Sequence, residues 1–373
     1  MSLHVLYFGT YDQHYSRNRI MIEGLRRAGA EVYECHVSLW SSTDDKVAAA
    51  AGHQSIHTLM GRVLRAYVRL LQAYRPWHSR YDVMMLGYPG QFDVFLARML
   101  TWLARRPLIL DVFMSVYLIA SERNLARKRW LFYIENLACR LPDMLIIDTA
   151  EYAEWFEQTF GISRQRFRLV PTGANDDIFK PVPRQPDGKF RVIYYGSFIP
   201  LHGVEYIVQA AELLRKYRDI VFELIGQGPT RLTAERMVST LGLDNVIFTD
   251  WIAECELPHY LSRADVLLGV FGTTEQSKRT IQNKIYQGLA MALPVITGDS
   301  PAVRAALQHG EHVYLVERGN PEALANAVLT LRANPALRFH LAQEGRRFFV
   351  ENFTSEKIGR QTFQHLQQLL YCR

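Results

Sequence analysis

A chain of 373 residues, 49% apolar and 21% charged, is too long for one ordinary core and is neither disordered nor fibrous in composition, so two globular domains are expected. A formal charge of +6 and a pI near 9.1 point to an anionic partner without naming it. Four dispersed cysteines (Cys35, Cys139, Cys255, Cys372), with no CxxC spacing, argue for reduced thiols in a cytosolic setting and against a zinc site or a disulfide framework.

"MSLHVLYFG" lacks the basic start and long apolar stretch of a signal peptide and reads as a first strand. "SRNRIMIEGLRRAG" and "AEVYECHV" continue as helix and strand, with Ser16 as N-cap and Gly29 near the helix end. Between them "GTYDQHYSRNR" offers Gly9, Thr10, Tyr11, His14, Arg17 and Arg19. This loop either closes over a ligand or, for its arginines, covers an exposed helix face.

"HTLMGRVLRAYVRLLQAYRPWHSR" sets Arg62, Arg65 and Arg69 at helical spacing, with Leu64, Val68 and Leu71 as an interleaved apolar stripe. "RNLARKRW" adds Arg123, Arg127, Lys128, Arg129 and Trp130. Either these segments lie on an anionic membrane surface, or the stripe packs on a sheet with its arginines in water. "FLARMLTWLARRPLILDVFMSVYLIA" is interrupted by Arg98, Arg105, Arg106 and Asp111 and cannot supply a transmembrane span. Cytoplasmic localisation is expected, with the membrane surface as the alternative to free solution.

Near-continuous apolar strands recur at "YDVMMLGYP", "RPLILDVF", "DMLIIDT" and "FRLVPTG", with helical patterns between most of them, as a parallel sheet covered on both faces requires. Asp111 ends one strand, where an acid is either functional or the cap of the next segment. The proline-rich "KPVPRQPDGK" is the best linker, and the alternation restarts after it at "FRVIYYG", "IVFELIG", "NVIFTDW", "ADVLLGVFG" and "LPVITG". The fold class is therefore α/β, with two doubly wound, Rossmann-like domains facing across a cleft. The boundaries are 1–183, 184–354 and a C-terminal helix 355–373, which has no strand after it and is free to cross back to the first domain.

No G-x-G-x-x-G, Walker loop, H-E-x-x-H or G-x-S-x-G is present, which weakens dehydrogenase, kinase, metalloprotease and hydrolase readings. Ligands of open α/β sheets bind beyond the carboxyl ends of strands. Three loops of the second half stand there. In "LIGQGPTR", Gly226 and Gly228 mark either a close approach to a ligand or a tight connection. In "YYGSFIPLHGVEYI", Gly196 and Gly203 bracket a strand-to-helix loop whose amides can face a phosphate, with His202 beside it. "EQSKRTIQNKIYQGLAMALPVI" sets Lys278, Arg279 and Lys284 at a helix start, where the dipole disfavours cations unless an anion is bound.

At these residues the sequence resembles a retaining glycosyltransferase of family 4, the group 1 glycosyltransferases, with the GT-B fold. "YYGSFIPLHGVEYIVQAAELL", "LIGQGP", "VIFTDWI", "LPHYLSRADVLLGVFG", "NKIYQGLAMALPVITGDSPAVRAAL" and "GNPEALANAVLTLRANP" carry the likeness, and "YFGTYDQHYSRNRIMIEGLRRAG" and "DMLIIDTAEYAEWF" extend it more loosely. The resemblance implies a UDP- or GDP-sugar donor in the second half and an acceptor hydroxyl of a glycan or lipid-linked glycan in the first. No cofactor, no metal and no nucleic acid is expected. The implied donor-binding residues are Gly9, Ser197, His202, Gly226, Trp251, Phe271, Gly272, Lys278, Arg279, Lys284 and Gln287. The implied catalytic residues are Asp111, His14 and Glu275. Where the family usually has two glutamates separated by seven residues, this chain has Arg279 and Gln287, and Ser197 and His202 stand for the usual Arg and Lys of the first loop. A protein that binds sugar nucleotides without turnover is the competing class, and an epimerase or phosphorylase has only fold analogy behind it.

Overall fold

The computed structural model describes residues 3–39, 56–125, 128–183 and 187–371, and Arg127 and Cys372 lie outside that set. The chain divides into two compact units, one of Met1–Pro171 with Ser355–Arg373 and one of Thr172–Thr354. The first boundary falls at Thr172 rather than 184. Residues after Pro171 already belong to the second core: Ala174 and the wholly buried Phe179 share a cluster with Tyr286 and Phe353.

The first unit is a six-stranded parallel sheet in the order β2-β1-β3-β4-β5-β6. Its strands are β1 (His4–Gly9), β2 (Glu31–His36), β3 (Val83–Leu86), β4 (Leu108–Asp111), β5 (Met144–Ile147) and β6 (Phe167–Leu169). Leu6 and Phe8 point into a core with Leu70, Leu100 and Cys139, whereas Val5 and Tyr7 point into another with Met21, Leu25 and Ile358. Burial on both faces explains why β1, β3, β4 and β5 are apolar runs, whereas the edge strands β2 and β6 are partly exposed. The helix Ser16–Arg27 starts at Ser16 itself. The N-cap position is Tyr15, which supplies no side-chain cap.

The helix Ser355–Tyr371 returns to this unit and lies on Ser16–Arg27. The crossing is at two glycines, since a Cβ on Gly24 would strike Ser355 and Gly359 backbone, and one on Gly359 would strike Gly24.

The second unit is also a six-stranded parallel sheet, in the order β12-β11-β10-β7-β8-β9. Its strands are β7 (Phe190–Tyr195), β8 (Ile220–Ile225), β9 (Val246–Thr249), β10 (Val266–Leu268), β11 (Val295–Gly298) and β12 (Tyr314–Val316). The strand order reverses between β7 and β10, which pair from Val192↔Val266 to Tyr194↔Leu268. In open α/β sheets ligands bind at such a switch point, beyond the strands' carboxyl ends.

Candidate functional site

At the β7/β10 switch point the loops interlock through backbone. Gly203 has φ +64, and a Cβ there would run into Phe271 and Gly272, so only glycine lets the two loops touch. The Phe271 amide donates to His202 O at 3.0 Å. That amide is therefore engaged within the protein.

Lys284 is the second residue of the helix Asn283–Ala290, whose N-cap residue Gln282 supplies no side-chain cap. Its side chain is only 7% exposed. Nζ lies 4.0 Å from the Tyr194 ring centroid and 3.4 Å from His202 Nδ1, and a Cβ on Gly196 would stand 3.0 Å from it. Among the described residues no carboxylate pairs with this ammonium. Burial alone pushes it well below the ordinary lysine value.

His202 Nδ1 is 2.5 Å from Ser197 O and 2.7 Å from Tyr194 Oη, and Tyr194 Oη donates to Ser197 O at 2.8 Å. A carbonyl oxygen only accepts, so Nδ1 carries the proton and Nε2 holds the lone pair. Burial, then the neighbouring Lys284, holds the ring well below the ordinary histidine value and hence neutral. Ser197 contributes its carbonyl to this cluster, while the residue itself is exposed. Tyr195 Oη, on the opposite face of β7, donates to Gln287 Oε1 at 2.6 Å.

The helix Glu275–Arg279 is tied to the β10 loop by Ser277 Oγ, which donates to Gly272 O at 2.7 Å. Its two cations are not free. Lys278 Nζ is 3.0 Å from Glu275 Oε1 and Arg279 Nη1 is 2.5 Å from Glu275 Oε2. Hydrogen bonds from Arg279 and then Lys278 hold Glu275 below its ordinary value. Gly226 backs Gly196, whose carbonyl a Cβ on Gly226 would strike. Trp251 stands apart: it follows β9, the edge strand, and is 63% exposed.

Within the first unit Gly9, His14 and Asp111 have separate partners. Asp111 is wholly buried, with Oδ2 accepting from Arg17 Nε at 2.7 Å and Oδ1 from Arg17 Nη2 at 2.9 Å. Both its oxygens are committed to a bidentate ion pair, so Asp111 is the anchor of Arg17 and not an acid free to orient an acceptor. Arg17 in turn is neither exposed nor open to ligand, since it is 1% exposed and also donates to Val170 O. Gly9 backs onto Asp93, which accepts from Thr10 N at 2.6 Å and which burial raises to about 6. His14 is exposed, its amide donating to Asp12 Oδ1.

Sequence reasoning missed Tyr194, Tyr195 and Arg318. Arg318 donates to Asp299 O, Val270 O and Gly272 O, clamping the loops after β10 and β11. Among the described residues its Nη2 is buried without a hydrogen-bond partner, and burial lowers the group to about 10.

Residues 189–334 match the family model described as Glycosyl transferases group 1. The MMP alpha-(1->4)-mannosyltransferase of Mycolicibacterium hassiacum is 25% identical over 245 residues, covering 63% of this chain and 57% of that protein. The GDP-mannose-dependent alpha-(1-6)-phosphatidylinositol monomannoside mannosyltransferase of Mycolicibacterium smegmatis is 27% identical over 215 residues, covering 53% and 55%. The chain thus spans under two thirds of the length of these relatives. Anabaena HepE, solved in complex with UDP, superposes with a TM-score of 0.73 at 16% identity over 99% of this chain and all of that one. The fold is GT-B, built of two Rossmann-like units.

Proposed function

With its second unit matching the group 1 glycosyl transferases over residues 189–334, we propose that this chain moves a sugar from a nucleoside diphosphate sugar to an acceptor hydroxyl. The observation that carries the reading is Lys284, a buried ammonium that no acid among the described residues pairs with, at a glycine-built switch point. Burying an unpaired charge costs free energy unless a counter-ion arrives, and a diphosphate is such an ion. Lys284 meets the phosphates from the helix start, with Lys278 and Arg279 on the neighbouring helix adding charge once Glu275 releases them.

The donor is a UDP- or GDP-sugar. HepE binds the first nucleotide, and the M. smegmatis relative depends on a GDP-sugar. Gln287, anchored by Tyr195, holds the ribose, and Glu275 contacts the sugar. The transfer retains configuration: the acceptor attacks on the face of the leaving group, and the departing phosphate oxygen takes its proton. Stabilising charge on that oxygen is the protein's main contribution, as preorganised donors do. These cations supply the counter-charge a metal would otherwise give, so turnover indifferent to a chelator is expected. The acceptor is a glycan or lipid-linked glycan, and the reaction is cytoplasmic.

Calorimetry with UDP and GDP, followed by nucleoside diphosphate release from a panel of nucleotide sugars with candidate acceptors, tests the reading. A folded protein that binds neither nucleotide would overturn it. Binding without release for any donor and acceptor would favour the second reading, a sugar-nucleotide-binding protein, which the Arg279 and Gln287 positions support.

A further inference from the structure

The helices Ile56–Tyr74, Val94–Ala104 and Lys128–Arg140 cover the same face of the first sheet, since Leu70, Leu100 and Cys139 share one core cluster. They are successive crossovers to β3, β4 and β5, which are neighbours in the sheet, so they lie side by side. Tyr67 of the first donates to Phe92 O just before the second, at 2.8 Å.

The outward faces of these helices are unusual for a surface. Every exposed residue of Val94–Ala104 is apolar: Phe95, Met99, Trp102 and Leu103, the last two 64% and 79% exposed. Leu64, Val68 and Leu71 are exposed on the first helix, and Trp130, Tyr133 and Leu137 on the third. The stripe Leu64, Val68, Leu71 is therefore not the packed face of its helix, which buries Ala66, Leu70 and Tyr74. Exposed between and beside these rows are Arg65, Arg69, Arg105, Arg129 and Arg140. No exposed described residue of the three helices is acidic, and the only acid among them, Glu135, is wholly buried.

Residues 56–140 hold thirteen Lys and Arg against five Asp and Glu, a net +8 in a chain whose total is +6. The positive excess of the whole protein is thus confined to the segment that bears the exposed aromatic rows. Among the described residues no helix is long and apolar enough to cross a membrane. A wide apolar face flanked by arginines fits the boundary of an anionic bilayer, where the rings enter the headgroup region and the guanidiniums meet lipid phosphates.

We propose that this three-helix face docks the protein on an anionic lipid bilayer, with Trp102, Leu103 and Trp130 entering it and Arg65 and Arg69 pairing with headgroups. The proposal does not depend on sugar transfer, and neither does its test. The full chain is sedimented with vesicles of phosphatidylcholine alone and with vesicles also containing phosphatidylglycerol, at rising salt. Expected is binding to the anionic vesicles that weakens with salt, a blue shift of tryptophan emission, and quenching by brominated lipid in the unmodified protein. Trp102→Ser with Leu103→Ser, and separately Arg65→Gln with Arg69→Gln, should each lower partitioning by roughly tenfold or more, with unchanged melting and unchanged nucleotide affinity. Recovery in the supernatant at low salt with both vesicle types would overturn the proposal. So would binding that ignores both double variants, or a wild-type dimer that Trp102→Ser with Leu103→Ser turns to monomer without any vesicle binding, which would make the face a contact between copies.

Discussion

The ammonium of Lys284 lies 3.4 Å from His202 Nδ1, a nitrogen whose proton is already committed to Ser197 O. Two basic groups therefore face each other inside the protein with no acid between them among the described residues, an arrangement that a bound anion would relieve. Lys284→Ala should weaken UDP or GDP binding by about 1.5–3 kcal/mol. Lys284→Met should at the same time raise the stability of the nucleotide-free protein, by up to about 3 kcal/mol, because the buried charge is gone. Calorimetry and urea unfolding read the two effects. A variant that lost stability and kept its affinity would make Lys284 a packing residue.

Nucleotide binding should take up protons. An anion beside His202 and Lys284 raises groups that burial depresses, so the bound protein holds more protons than the free one. By linkage, affinity falls as pH rises through the titration of these depressed groups, apart from the ligand's own ionisation. The same depression has a second consequence. Below about pH 6.5 the unfolded chain binds a proton at His202 that the folded, nucleotide-free protein does not, so stability declines as pH falls through that point. Binding heats in buffers of different ionisation enthalpy measure the uptake, and His202→Asn should reduce it. Equal heats in every buffer would contradict the assignment.

Gln287→Glu should be structurally silent, since a carboxylate oxygen accepts the Tyr195 hydroxyl as the amide oxygen does. A carboxylate also accepts more strongly from ribose hydroxyls. The preference for a ribonucleoside diphosphate over its 2′-deoxy analogue should grow by a few-fold. No change in that ratio would remove Gln287 from the ribose.

Glu275→Gln should separate binding from transfer. Releasing Lys278 and Arg279 should tighten a bare nucleoside diphosphate by about 0.5–1 kcal/mol, the scale of an exposed ion pair. Transfer should slow because the contact to the sugar is lost. If affinity and rate both stay as they were, the helix Glu275–Arg279 lies outside the site.

Gly359→Ala should lower stability by about 2–3 kcal/mol, the upper range for overpacking, because the new methyl meets Gly24 backbone that cannot turn aside. The urea midpoint of the first unit checks this. An unshifted midpoint would mean that the helix Ser355–Tyr371 yields freely.

Eleven of the twelve strands were legible: those buried on both faces are apolar runs between glycine-bearing turns, as "VMML" and "VITG" illustrate, and the partly exposed β2, β6 and β9 still carry β-branched or aromatic residues. The twelfth, "YLV", is a three-residue edge strand with only Val316 buried, so it left no such run and Arg318 went unnoticed behind it. Gly196, Gly203, His202 and Lys284 stood out because loop glycines and cations at a helix start are local signals. The Arg17–Asp111 pair spans 94 positions and the Tyr195–Gln287 bond 92, and no local pattern reports such meetings. Periodicity found the helix Ile56–Tyr74 but could not choose between its two apolar rows, one of which faces the sheet and the other outward.

The return of residues 355–371 to the first unit sets an order of events during synthesis. Ile20, Met21 and Leu25 are made early, yet their cover of Ile358 and Leu366 emerges from the ribosome only after the whole of Thr172–Thr354. The second unit is one unbroken stretch and is free to close while the first still shows a bare helix face. Translation therefore runs from first to second, whereas completion runs from second to first. A chain released before residue 355 would carry a finished nucleotide-fold unit behind an unfinished one, and chaperones that bind exposed apolar surface should find it at Ser16–Arg27.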